Sequence, residues 1–149
     1  MKIKIYSILF VCLFLFLGCN EKKEDTIKAN YLDFSKRDDQ FTGGIKMIPI
    51  KTPKGTFKVW TKTVGYNPTI KVLLLHGGPG LTHELYESFD GYFPNESIEY
   101  IYYDQLGSYY SDQPNDNSLW TNERFVEEVE QVRKALHCDN TNFYILRQS

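Results

Sequence analysis

Cysteine and histidine are scarce in this sequence, with three of each in 149 residues. Cys12, Cys19 and Cys138 form no CxxC pair, and the only histidine beside one of them is His137, directly before Cys138. Zinc and dithiol redox sites need wider ligand spacings, because adjacent side chains rarely reach one metal. Cys138 reads as a lone structural thiol at a helix end, and no motif calls for a metal or other cofactor. Excess basic charge is missing as well. Lys and Arg number 17 against 19 Asp and Glu, for a formal charge of −2. The basic residues make no stripe that would follow a phosphate backbone, which excludes nucleic acid as a partner. No apolar run reaches the roughly 20 residues of a membrane-spanning helix, and there is no internal repeat or low-complexity tract. What is present, 42% hydrophobic and 24% charged residues, is the composition of a globular chain with room for one domain.

The first twenty residues read as a targeting device. Lys2 and Lys4 precede an apolar run over residues 5–17, interrupted only by Ser7 and softened by Cys12. A positive start followed by a short apolar run is a secretory signal. Phe16-Leu17-Gly18-Cys19 resembles the lipobox of bacterial lipoproteins, in which a small residue precedes a cysteine that is lipidated and becomes the mature N-terminus. Leu17 is bulkier than the small residue usual at its place. The expectation is a lipoprotein signal peptide over 1–18, a lipid on Cys19, and a chain anchored in the bacterial cell envelope facing outside the cytoplasm. An uncleaved N-terminal anchor is the alternative. Residues 19–44 are polar and charged, with no helical apolar stripe, and predict a flexible tether. With Cys19 lipidated, Cys138 is the one thiol left and no intrachain disulfide forms.

From residue 45 the periodicity changes. Residues 45–51 (IKMIPIK) alternate, with Ile45, Met47 or Ile48, and Ile50 available to one face. Lys54-Gly55 makes a turn, and residues 56–64 (TFKVWTKTV) alternate again, so the two segments predict an antiparallel hairpin. Residues 70–75 (IKVLLL) form a nearly continuous apolar run, typical of a strand buried on both faces. Residues 81–93 predict a helix with Leu81, Leu85, Phe89 and Tyr92 on one side and Pro94 as its stop. Residues 98–103 (IEYIYY) are the next strand, and 104–114 a polar loop. Residues 121–137 are the clearest helix: Thr121 as N-cap, Glu123 in the first turn, and a Glu130–Lys134 pair. Its apolar face is Phe125, Val129, Val132 and Leu136, with Val126 beside them. Residues 143–146 (FYIL) are the last strand. The order β-β-β-α-β-α-β predicts an α/β fold over 45–149, a mostly parallel sheet with flanking helices entered through an antiparallel N-terminal hairpin.

Two places in this frame carry chemistry. His76-Gly77-Gly78-Pro79-Gly80 directly follows a buried strand. Acyl transfer builds negative charge on a carbonyl oxygen, and backbone N–H groups aimed at that oxygen stabilise it. Glycines let the backbone approach and turn where a Cβ would block it. Gly77 and Gly78 are therefore candidates for an oxyanion hole, a plain Gly/Pro turn being the other reading. His76 is the wrong histidine for a catalytic base, because in α/β-hydrolase order that residue comes last; it reads as a hydrogen-bonded residue shaping the loop. At the other place, the strand over 143–146 runs into Arg147-Gln148-Ser149. The G-x-S-x-G elbow puts a nucleophilic serine directly after a buried strand, and Ser149 falls at that place with Arg147 where the first glycine would be.

HGGPG, then the segment from Tyr103-Asp104-Gln105 to Gln113-Pro114, then FVEEVEQVRKAL and NFYILRQS, together resemble the proline iminopeptidases of the serine peptidase type over about residues 46–149. The resemblance implies the N-terminal part of an α/β-hydrolase fold and release of N-terminal proline from short peptides. It implies Ser149 as nucleophile, Gly78 with Gly77 as oxyanion-hole donors, and Asp104 and Gln105 as residues that shape the pocket floor or brace a loop. In that family the triad Asp and His and the amine-gripping cap lie further downstream, so the expectation is a truncated chain, inactive alone. The competing expectation, of a different class, is a non-catalytic lipoprotein remnant or binding surface.

Overall fold

The computed structural model describes residues 44–78 and 80–148. The predicted signal peptide, the lipidation site Cys19, nearly all of the tether, and Ser149 lie outside the described residues. Within them the chain forms one five-stranded sheet of order β1-β2-β4-β3-β5. The strands are β1 Ile45–Thr52, β2 Gly55–Val64, β3 Lys71–Leu75, β4 Glu99–Tyr103 and β5 Phe143–Arg147, and the one α-helix among the described residues, α1, spans Asn122–Ala135. The β1–β2 hairpin is antiparallel, with Thr52 paired to Gly55 across a Pro53–Lys54 turn. β2 pairs antiparallel with β4, while β3 pairs parallel with both β4 and β5. The sheet is therefore mixed, with parallel pairing confined to the three strands that follow the hairpin; "mostly parallel" describes that half alone.

Alternation along the inner strands sorts the core into two faces, as the two-residue period requires. Leu73, Ile101 and Tyr103 join Ile48, Ile50, Val59 and Leu106 under Val132 of α1. Leu74, Tyr100 and Tyr102 join Trp60 on the opposite face, under Tyr86. β4 is buried along its whole length. The chain steps from β3 one way to β4, then back past β3 to β5, and right-handed crossovers in opposite directions place their connections on opposite faces. The two clusters match that arrangement.

The connection from β3 to β4 is a 3-10 helix, His83–Gly91, with a second one at Phe93–Glu96. This corrects the α-helix expected over 81–93, and Pro94 sits inside the second element instead of ending the first. In a 3-10 helix, side chains three apart share a face. His83, Tyr86 and Phe89, spaced by three, turn inward, whereas Leu81, Leu85 and Tyr92 of the expected α stripe are exposed. The element is pinned from the sheet side: the Tyr86 hydroxyl donates to the Leu75 carbonyl (2.7 Å), and the Tyr100 and Tyr102 hydroxyls both donate to Asp90. Stacked Phe89 and Phe93 rings, 4.7 Å apart, continue the contact.

Helix α1 begins where its cap predicts, the Thr121 hydroxyl accepting from the Arg124 N–H at 3.3 Å. Its buried residues are Arg124, Glu128 and Val132, and Val126, expected beside the apolar face, is exposed. The Glu128 carboxylate explains the difference. It accepts from the Tyr103 hydroxyl, from the Leu106 N–H and from the Arg124 guanidinium, so two charged residues enter the core as a hydrogen-bonded pair. Burial, and next the Glu128 carboxylate, push the Tyr103 phenol well above its ordinary pKa. The Glu130–Lys134 pair forms at 3.2 Å, joined by Arg133 at 2.7 Å.

Candidate active site

The carboxyl ends of β3, β4 and β5 lie along one edge of the sheet, where open α/β sheets place their ligands. β3 ends at Leu75 and gives way to the glycine loop. Gly78 has φ +118°, and a Cβ there would lie 2.8 Å from the Gly80 nitrogen and 3.1 Å from that of Leu81. Gly80 also has positive φ, +96°. Among the described residues neither the Gly77 nor the Gly78 N–H has a hydrogen-bond partner. Gln148, the residue before Ser149, donates its N–H to the Leu75 carbonyl at 3.3 Å, which brings the end of β5 beside the start of the loop. Arg147 pairs in register with Leu75, and its side chain is exposed.

His76 is buried and hydrogen-bonded through both ring nitrogens. Its Nε2 accepts the Gln105 backbone N–H at 3.0 Å, so the ring proton sits on Nδ1 and is donated to the Gly77 carbonyl at 2.9 Å. Gln105 also donates from its side chain to the His76 carbonyl at 3.4 Å. Asp104 is fully buried. Its carboxylate accepts from the His83 backbone N–H at 2.9 Å and faces the His83 Nδ1 with both oxygens at 3.0 Å. Asp104 and Gln105 thus bond to His83 and His76, the residues on either side of the glycine loop.

The loop after β4 is itself fixed by hydrogen bonds. Asp104 donates its N–H to Trp60, Leu106 to Glu128, Gly107 to Asp112 and Ser108 to Gln105. The Ser111 hydroxyl links the Asp104 carbonyl (2.6 Å) to the Trp60 N–H (2.8 Å). Gly107 has φ +87°, and a Cβ there would meet the Trp120 ring at 2.6 Å. Tyr109 holds an unusual φ of +33° for a non-glycine residue. Its ring lies 3.9 Å from that of Tyr110, and the two hydroxyls are 3.1 Å apart. The Tyr110 hydroxyl, then the Glu84 carboxylate, raise the Tyr109 phenol to about 12.

His83 is the residue that sequence reasoning missed. Its ring stacks on Trp60 at 4.4 Å and lies within 5.7 Å of Tyr109 and Tyr110. The signal was its spacing of three from Tyr86 and Phe89, overlaid by the α period that runs through the same segment. Cys138 is buried at the end of α1 with its thiol pushed up by burial, as a structural cysteine should be. Among the described residues no cluster of three or more His, Cys, Asp or Glu is placed to hold a metal ion, and no helix is long and apolar enough to cross a membrane.

No family model matches the chain. It is 66% identical over 103 residues to a proline iminopeptidase of Flavobacterium johnsoniae, a match covering 69% of this chain and 35% of the relative. It is 65% identical over 103 residues to the proline iminopeptidase of Elizabethkingia meningoseptica, with the same coverage. The chain thus spans about a third of the length of the curated relatives it matches. Among solved structures, the proline iminopeptidase of Mycobacterium smegmatis superposes with a TM-score of 0.60 at 24% identity, over 70% of this chain and 35% of that one. A proline iminopeptidase-related protein of Thermus thermophilus gives 0.58, over 70% and 36%. A bromoperoxidase of Bacillus anthracis gives 0.55 at 20% identity, over 68% and 33%; identities this low speak for the fold alone. In sequence this chain is similar to the proline iminopeptidases over about a third of their length, and its body carries the N-terminal part of an α/β-hydrolase fold.

Proposed function

We propose that this chain supplies the oxyanion loop and the nucleophile of a serine exopeptidase that releases N-terminal proline from short peptides. The observation that carries the reading is the glycine loop at the end of β3, with the Gly77 and Gly78 N–H groups uncommitted and both flanks tied down. In the mechanism this implies, the Ser149 hydroxyl attacks the prolyl carbonyl. A histidine takes its proton and returns it to the leaving amine, and a carboxylate orients that histidine. The glycine N–H groups hold the developing oxyanion. The triad partners follow the elbow serine in this hydrolase order. The relatives' names support the substrate class, and a lipid on Cys19 would hold the enzyme in the cell envelope, where short peptides arrive from outside.

The test joins the chain to the downstream two thirds of the Flavobacterium johnsoniae relative. The joined protein is treated with a fluorophosphonate probe and assayed with proline 4-nitroanilide. Labelling and turnover that both vanish in Ser149→Ala support the reading; turnover that survives Ser149→Ala refutes it. Arg147 adds a second arm, because a small residue two places before the nucleophile lets the tight elbow close. Arg147→Gly is expected to raise turnover, and equal rates would show that the elbow tolerates arginine. Anchoring is tested separately by metabolic labelling with a fatty-acid probe, where equal labelling of Cys19→Ser would rule the anchor out.

A further inference from the structure

We propose that His83 is a positioning residue for the reaction, and that His83 with His76 fastens both ends of the glycine loop to the Asp104–Gln105 dipeptide. The inference rests on the function proposed above and adds to it a residue outside the expected nucleophile, oxyanion donors and triad. Its ground is the bracketing. His76 immediately precedes the loop, and His83 follows Gly80 by three residues. The two histidines dock on adjacent residues of the neighbouring strand's loop. His76 takes the Gln105 N–H on its Nε2 and the Gln105 side chain on its carbonyl. His83 gives its backbone N–H and its ring Nδ1 to the Asp104 carboxylate.

Such a fastening meets a specific need. Glycine loses more conformational freedom on ordering than any other residue, and three of the four residues between His76 and Leu81 are glycine. An oxyanion donor helps only where it already points at the place the charge develops, and a misplacement of about 1 Å costs on the order of a hundredfold in rate. The loop's precision must therefore come from its anchors. The receiving dipeptide is rigid: Asp104 is held by Trp60 and Ser111, and the next residue, Leu106, by Glu128. The His83 ring is fixed in turn by Trp60 stacked on its face and by the Tyr102 ring, T-shaped to it with centroids 5.6 Å apart. Since both Asp104 oxygens are acceptors, Nδ1 must carry the proton, which makes the ring a donor at this end just as His76 is an acceptor at the other.

The experiment uses the chain joined to the downstream two thirds of the Flavobacterium johnsoniae relative, with His83→Phe and His83→Asn. Phenylalanine keeps the ring on Trp60 and loses the ring donor; asparagine places an amide donor where Nδ1 stood. Each variant is assayed with proline 4-nitroanilide below its thermal transition, and hydrogen–deuterium exchange is followed over residues 76–82 and over α1. The expected result for His83→Phe is a kcat at least tenfold lower, KM within about twofold, and faster exchange in the loop with α1 unchanged. His83→Asn should recover kcat to within about threefold. An unchanged kcat and loop exchange in His83→Phe would overturn the proposal. So would parallel losses in loop and α1 that asparagine does not rescue, since those mark a residue needed only for folding. If the unsubstituted joined chain has no turnover, the proposed function fails instead, and loop exchange alone decides whether His83 fastens the loop.

Discussion

Gly78 shows how the need for one residue type can be legible in a sequence. Its φ of +118° lies where a side chain is strained, and an added Cβ would press on backbone that has nowhere to go, 2.8 Å from the Gly80 nitrogen. Gly78→Ala should lower stability by about 1–3 kcal/mol, read by urea denaturation of the joined protein. It should also lower turnover at least tenfold, since displacing an oxyanion donor costs on the order of a hundredfold. Stability and rate both at the unsubstituted level would show that the loop relaxes freely. His76 was singled out by the glycine motif, and Asp104 and Gln105 by the family resemblance. Their partner His83 was not, because hydrogen bonds between residues 21 apart leave no local pattern, and the residue type alone is ambiguous.

Secondary elements were read well where one period dominated and poorly where two competed. The hairpin, β3, β4 and α1 follow from alternation, continuous burial and a threonine cap. The 3-10 helix His83–Gly91 did not, because both an α stripe and a three-residue stripe run through the segment, and contacts with Leu75, Tyr100, Tyr102 and Asp104 select the second. In α1 the hydrophobic pattern missed Arg124 and Glu128, which are buried as partners. Glu128→Ala should destabilise the fold by about 3–5 kcal/mol, because it strands the Arg124 charge in the core. Arg124→Leu/Glu128→Leu together should lose less, and denaturant melts of the two variants would show the order. On the exposed side, Arg133 and then Lys134 hold the Glu130 carboxyl at about 2, below its ordinary 4.5. A depressed carboxylate pKa stabilises the folded state above the unfolded value, and that contribution is lost as pH falls from about 4.5 to about 2. An NMR titration should find Glu130 near 2 and, in Arg133→Gln, shifted up; an unmoved value would discount the ion pair.

At the scale of the whole molecule, strand order and the two-faced core place the glycine loop, the Asp104 loop and the end of β5 along one edge, and that arrangement makes the site readable. β5 itself pairs with β3 on one side only among the described residues, and Tyr144 and Ile145 are about half exposed. An open apolar edge invites association, so residues 20–149 expressed alone should self-associate in sedimentation, and a cooperative melt from a monomer would contradict this. The α/β class was legible because buried strands alternated with helical segments. The antiparallel hairpin was legible too, whereas its junction to the parallel set through β2 and β4 was not, because a strand's composition does not name its neighbour. The central claim is that this chain forms the oxyanion and nucleophile half of a proline-releasing enzyme. It is tested most directly by comparing kcat/KM for proline and alanine 4-nitroanilides in the chain joined to its relative's downstream part. A preference for proline of at least tenfold, abolished by Ser149→Ala, is the predicted result; equal rates for the two substrates, or turnover untouched by Ser149→Ala, would contradict it.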